Sequence, residues 1–291
     1  MELQQLRYVL AVAEERSFTR AAEKCHVVQS ALSHQVKALE RELGVTLFAR
    51  TSRRVEVTAS GQAFLAGATA CLDAADRAAT DAAAAAGLVR GTLTVGLIPT
   101  VTALDLPALL GSFHQAHPDV RIAVRGGVST GFVTRIIDGT MDVAVLGLSE
   151  ATPPLGVQSR VLAREKHVLL VAERHRLAGR RDVRLGDLAA ETFADFAAGS
   201  SGRAQTDAAF AAQGVARDVA FEVAGVDLML GLVRSGLAVA LLTPGAIGDV
   251  PGVSAVPLID GPGRVEYLAW SDFNPSPAAS AFVRSVLGDV A

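Results

Sequence analysis

Residues 17–44, Ser-Phe-Thr-Arg-Ala-Ala-Glu-Lys-Cys-His-Val-Val-Gln-Ser-Ala-Leu-Ser-His-Gln-Val-Lys-Ala-Leu-Glu-Arg-Glu-Leu-Gly, read as two short helices joined by a tight connection. In the second helix Leu32, Val36, Leu39 and Leu43 recur at three- or four-residue spacing and form one apolar stripe. Ser30, Ser33, His34, Lys37 and Arg41 fall on other faces. A helix that buries one stripe and offers short hydrogen-bonding groups in its first turns suits the DNA major groove, where sequence is read from base edges. Gln29, Ser30, Ser33 and His34 are the expected readers, with Thr19 and Lys37 beside them. Ser17 is placed as an N-cap, and Phe18, Ala21 and Ala22 turn inward. A first helix from about Leu3 to Glu14 supplies Leu3, Leu6, Leu10 and Ala13 as the third wall of a small core. The same spacing also fits an amphipathic hairpin buried in a larger core, so it does not decide the function alone.

Residues 45–61 read as two very short strands around a basic tip, Arg50 to Arg54. Arg50, Arg53 and Arg54 of such a wing sit near phosphates and add salt-dependent affinity with little sequence information. Here the chain resembles a known family, the LysR-type transcriptional regulators. The resemblance is carried by Phe18, Ala21-Ala22, Gln29, Ser33, Leu39-Glu40, Leu43-Gly44, Leu47-Phe48, Arg50, Thr58 and Gly61, at that family's spacing over nearly all of the first 61 residues. Two positions depart from it. Cys25 stands where leucine is common, and His34 where arginine or glutamine is usual. A neutral imidazole has one donor and one acceptor while arginine has a donor fork, so the base read at that position changes.

The chain has 291 residues, half of them hydrophobic, enough for two or three units with their own cores. A net charge of -3 looks wrong for a DNA-binding protein until the chain is divided. Residues 1–60 carry nine Lys/Arg against seven Asp/Glu, and residues 91–291 carry sixteen against twenty. The modest positive charge lies with the DNA reader, supporting the motif without being able to find it. Cys25 and Cys71 lie far apart with no metal-ligand partners at recognised spacing and read as reduced, structural residues. Glu2 and Arg7 precede any apolar run, unlike a secretory signal, and stretches such as Leu237 to Leu242 are too short to span a bilayer. The expectation is a cytoplasmic protein with no membrane partner.

Thr58 is the expected N-cap of a long alanine-rich helix through Phe64, Leu65, Ala68, Leu72, Ala75 and Ala79 to Leu88. Its narrow, continuous stripe suits close packing against a partner helix. Resemblance to the family implies the same, an antiparallel pairing of linker helices in a homodimer, with dimers pairing into tetramers and RNA polymerase as a further partner. Gly87 and Gly91 end the helix and open the next domain. Strands at Leu93 to Leu97, Val120 to Val124 and Val143 to Leu146 then alternate with helices at Val101 to Ala116 and Ser129 to Ile137, and a similar set follows to the end. That order implies βαβ units and a mostly parallel sheet. The expected architecture is an α+β multidomain chain: a winged helix-turn-helix (1–58), a linker helix (59–90) and a two-subdomain α/β effector-binding domain (91–291) resembling periplasmic binding proteins. Subdomain I takes 91–163 and 267–291, and subdomain II takes 164–266. In the family the chain crosses between the subdomains twice, here near Ala163-Arg164 and Glu266-Leu268, and the cleft holds an effector.

Ligands of open α/β sheets sit beyond the carboxyl ends of the strands, where helix N-termini offer free N–H groups. Thr100, Val101, Thr102, Ser129, Thr130, Ser200, Ser201 and Thr243 follow strands in this way and are the expected effector contacts. Their hydroxyls mildly favour a small anionic metabolite, and nothing points to a cofactor, a metal or a catalytic residue. Two other functions compete. Gly127-Val128-Ser129-Thr130-Gly131 fits the G-x-S-x-G elbow of serine hydrolases, with His167 and His175 following, although five-letter patterns often match by chance. A solute-binding receptor fits the C-terminal two-thirds, but not a DNA reader fused in front of it.

Overall fold

The computed structural model describes the whole chain except residues 51–54, 249, 274 and 289–291 and the side chain of Arg50. It contains two compact units, residues 1–87 and 88–291.

In the first unit α1 (Leu3–Glu15), α2 (Phe18–Lys24) and α3 (Gln29–Leu43) are followed by the antiparallel pair β1 (Phe48–Arg50) and β2 (Val55–Val57) and the long α4 (Ala59–Ala85). Ser17 caps α2, its hydroxyl accepting the Arg20 N–H. His26 takes a left-handed φ of 55° in the tight connection to α3. Leu32, Val36 and Leu39 of α3 are fully buried against Val9, Val12, Phe18 and Phe48, with Phe18 and Phe48 meeting edge to face at 5.9 Å. Two stripes shift from expectation. Leu43 is 37% exposed because Gly44 turns left-handed directly after it, and Leu3 is exposed. The first helix packs on α2 and α3 with one side and on α4 with another, so its buried face is Leu6, Tyr8, Val9 and Val12.

The wing is fastened by two short polar links. Glu40 accepts the N–H groups of Leu47 (2.8 Å) and Phe48 (3.1 Å). Thr58 caps α4 at Gly61 N and hydrogen-bonds back to the carbonyls of Thr46 and Leu47. Gly61 lies so close that a Cβ there would stand 2.2 Å from the Leu47 oxygen and 2.8 Å from Val57 Cγ1.

The second unit opens with β3 (Gly91–Leu97), α5 (Leu106–Ala116), β4 (Val120–Gly126), α6 (Ser129–Ile137), β5 (Val143–Leu148) and β6 (Gln158–Lys166). After these come β7 (Val168–Ala172), β8 (Thr192–Phe196), α7 (Ser201–Ala212), β9 (Asp218–Val223), α8 (Val226–Arg234), β10 (Ala240–Leu242), β11 (Val253–Val256), β12 (Gly263–Trp270) and α9 (Pro277–Leu287). The first lobe is a five-stranded sheet in the order β4-β3-β5-β12-β6, and the second joins β10-β7-β11 with the pair β8-β9. The sheets are mixed instead of mostly parallel. The βαβ strands β3, β4 and β5 are parallel, but β12 returns from the other lobe and pairs antiparallel with β5 and β6. That pairing continues to Gly263–Lys166, so residues 163–164 and 266–268 lie inside the first sheet, and the chain changes lobe at His167 and over residues 257–262. The helix expected from Val101 begins at Leu106, where Asp105 caps it and Pro107 occupies its first turn. No helix among the described residues is long and apolar enough to cross a membrane.

Overpacking a closed backbone contact costs about 1–3 kcal/mol. Gly61→Ala is expected to destabilise the first unit by that amount, read as a lowered unfolding midpoint in urea; an unchanged midpoint would contradict the contact.

Candidate functional site

The parallel order of β3, β4 and β5 puts their carboxyl ends, and the N-terminus of α6, at the edge facing the second lobe, where α7 begins as well. Between them lies a cavity of about 370 Å3. Thr100, Ser129, Ser200 and Ser201 line it, together with Ile98, Val128, Phe196, Val223, Leu241 and Leu242. Four expected contacts lie elsewhere. Thr130 lines a second, largely apolar cavity of about 800 Å3, which shares Ser201 and Gln205 with the first. Thr243 is fully buried, Val101 packs on the first lobe's core, and Thr102 is taken up by two carboxylates.

Those carboxylates belong to the crossing strands. Glu266 of β12, 1% exposed, accepts the Thr102 and Ala103 N–H groups at 3.1 Å and the Arg264 guanidinium at 3.2 Å. The Thr102 hydroxyl lies 2.7 Å from Glu266 and 2.8 Å from Glu165, and its single proton serves one of them at a time. Arg264 Nη2 also donates to the Thr100 carbonyl at 2.8 Å. Burial lowers the Arg264 pKa, against the pull of Glu266 and Glu165.

Gly147 at the end of β5 is the point on which the cavity's polar wall converges. Ser129 Oγ donates to its carbonyl and accepts its N–H (3.2 and 3.1 Å), and Gln205 Nε2 donates to the same carbonyl at 3.2 Å. A Cβ on Gly147 would stand 2.6 Å from Arg264 Nε, so only glycine lets the guanidinium lie flat there. Ser129 is thus occupied by the backbone. His167 Nδ1 donates to the Pro262 carbonyl and His175 pairs with Glu191, so neither histidine is aligned as a base for it. Nothing in this arrangement supports the serine-hydrolase reading. No group of three or more His, Cys, Asp or Glu suited to a metal occurs among the described residues.

In the first unit Thr19, Gln29, Ser30, His34 and Lys37 are exposed and Ser33 is half-buried, on the face of α2 and α3 away from the core. Val28 offers α3 no side-chain cap. Arg53 and Arg54, and the side chain of Arg50, lie outside the described residues.

This pairing of a helix-turn-helix unit with a two-lobed cavity domain matches known proteins along its whole length. The family model described as "Bacterial regulatory helix-turn-helix protein, lysR family" matches residues 3–62, and "LysR substrate binding domain" matches residues 86–291. The regulator ShiR of Corynebacterium glutamicum is 33% identical over 84% of this chain and 83% of its own length. HcaR, the Hca operon activator of Escherichia coli, is 30% identical over 98% and 97%. Full-length CbnR, solved with its target DNA, superposes with a TM-score of 0.73 at 27% identity, covering 99% of both chains. The chain belongs to the LysR family. It is a DNA-binding transcription regulator with an N-terminal helix-turn-helix and a C-terminal effector-binding domain.

Sequence reasoning missed the regulator's buried charges. Arg264 and Glu266 were detectable as two charges at alternate positions of an otherwise apolar strand, the pattern of one buried face. The same holds for Asp195, which lines the cavity and pairs with the buried Arg217 at 2.7 Å. His167, 4% exposed, carried no such signal.

Burial holds the His167 imidazole below its ordinary value of 6.5; Arg264 adds to this and the Pro262 hydrogen bond opposes it. The unfolded chain then takes up the proton first as pH falls. Its contribution is full above the unfolded value and is lost as pH falls through the folded one. Urea midpoints across a pH series are expected to fall less steeply below pH 6.5 in His167→Gln than in the parent; parallel curves would contradict the assignment.

Proposed function

We propose that Gln29, Ser30, Ser33 and His34 read bases, while Thr19, Lys37, Arg50, Arg53 and Arg54 hold phosphates. The uncapped first N–H groups of α3 serve the same purpose. The observation that carries this reading is the exposed amide, hydroxyl and imidazole face at the start of a helix whose opposite stripe is fully buried. Small-molecule control works through the cavity of the second unit, with Thr100, Ser129, Ser200 and Ser201 as contacts. An effector need only bind one conformation more tightly, and a coupling of about 1–3 kcal/mol shifts DNA occupancy severalfold or more. Some relatives are named hydrogen peroxide-inducible activators, yet residues 88–291 here contain no cysteine. Ligand binding, not thiol oxidation, is therefore the reading for this cavity.

Self-association runs through α4, whose buried residues within its own unit are only Gly61 and Ala68 among those described. The stripe continuing through Leu72 and Ala75 is left for a second copy, and pairing of dimers gives a tetramer. RNA polymerase is the further partner and the cytoplasm the site of action. The proposed domain limits are 1–58, 59–90 and 91–291.

Nuclease footprinting upstream of the regulator's own gene, across a salt series, tests the DNA reading. The expected result is a protected dyad whose specific affinity falls by about 1–3 kcal/mol in Gln29→Ala with the salt slope unchanged. Absence of any protected site, or equal binding by the variant, would contradict it. Leu72→Glu is expected to shift the sedimenting species from the parent assembly to a smaller one without unfolding either unit; an unchanged assembly would place the interface elsewhere.

A further inference from the structure

Position 28 is where α3 needs a cap and has none. Ser, Thr, Asp and Asn are favoured at the residue before a helix because their side chains accept from its second or third N–H. Helices α2, α4, α5, α7 and α9 follow this rule, through Ser17, Thr58, Asp105, Ser200 and Ser276. Helix α3 is led by Val28, whose side chain caps nothing. The other valine in such a place, Val128 before α6, lines the cavity of the second unit. Local rules of this kind are broken at functional positions.

Burial does not compensate Val28. It is 68% exposed, the most exposed large apolar side chain of residues 1–87 among those described, whereas the adjacent Val27 packs against the core. Its backbone is nevertheless fixed, the Val28 carbonyl accepting the N–H groups of Ala31 (3.1 Å) and Leu32 (3.2 Å). The isopropyl group is thus held at the leading end of α3, directly before the exposed Gln29 and Ser30.

In a helix-turn-helix the N-terminal residues of the second helix are the ones that reach base edges in the major groove. Those edges carry donors, acceptors and one apolar group, the 5-methyl of thymine. The amide, hydroxyls and imidazole at positions 29, 30, 33 and 34 answer the polar groups and leave the methyl unread. A β-branched side chain suits the methyl, because it has little rotamer freedom to lose and both apolar surfaces leave water together.

We propose that Val28 is a specificity-determining residue that reads a thymine in each half-site through its 5-methyl group. The proposal rests on the reading of the start of α3 as the base-contacting surface.

The test uses the full-length regulator and a duplex carrying the dyad protected in footprinting, with the thymines of each half-site replaced one at a time by uracil. Uracil pairs as thymine does and lacks only the methyl. At one thymine per half-site the replacement is expected to weaken binding by the parent about fourfold, the weight of one buried methyl. Val28→Ala is expected to bind the thymine and uracil duplexes equally. Val28→Ser is expected to do the same while raising the urea midpoint of the first unit, because serine caps α3, so that the lost preference is not a folding defect. The absence of any sensitive thymine in the parent, the result if Val28 lies against sugar and phosphate, would overturn the proposal. So would a uracil effect that persists in both variants, since it belongs to another side chain. Gln29→Ala separates Val28 from the reading beneath it. If Gln29→Ala weakens specific binding while the uracil scan is flat, Val28 alone falls. If neither changes binding, α3 is not the reader and both fall.

Discussion

A carboxylate with 1% exposure cannot be left uncompensated, and Glu266 is placed where its compensation organises the effector domain. It stands on β12, two residues from Arg264, so both side chains project from the same face. The guanidinium supplies one partner, and the N–H groups of Thr102 and Ala103 supply two more. Residues 101–105 are not helical, and α5 begins at Leu106 behind its Asp105 cap. The carboxylate thereby ties the loop between β3 and α5 to β12. Arg264, turned by the same pairing, donates to the Thr100 carbonyl and lies against Gly147. The polar floor of the cavity thus follows from one buried charge on a crossing strand.

The first unit uses a smaller version of this device. Glu40, half-buried on α3, accepts two N–H groups at the start of β1 and fixes the wing to the reading helix. Thr58 and Gly61 close the other side. The exposed face of α3 is therefore carried on a scaffold with little freedom, which suits base reading, where misplacement of a side chain loses a bidentate contact. The effector domain is built differently: the chain passes between two lobes at His167 and over residues 257–262, and a hollow lies between them. Such a hollow can favour one conformation when filled, which is what control by a ligand requires.

Much of the DNA-reading unit is legible in the sequence because local chemistry dictates it. Ser17 and Thr58 are caps with the hydroxyls in place, and the residues that carry the family resemblance are the ones that hold the wing: Glu40, Gly44, Leu47, Thr58 and Gly61. Helix boundaries in the second unit follow the periodicity closely at Ser129–Ile137, and strands begin as expected at Val120 and Val143. What escaped depends on pairing between distant segments. The loop before α5 is held by a carboxylate 164 positions from Thr102, and the antiparallel insertion of β12 follows from a return crossing that no local pattern announces. Four of the eight expected effector contacts line the cavity, because position after a strand is a local property; Gln205, Arg264 and His167 reach it only through tertiary packing.

Site-resolved amide hydrogen exchange at Thr102 and Ala103 tests the organising role of Glu266 most directly. The account predicts slow exchange at both, comparable to the paired amides of β12, although they lie in a loop, with release on Glu266→Leu. Rapid exchange in the parent protein, at the rate of an unstructured loop, would contradict it.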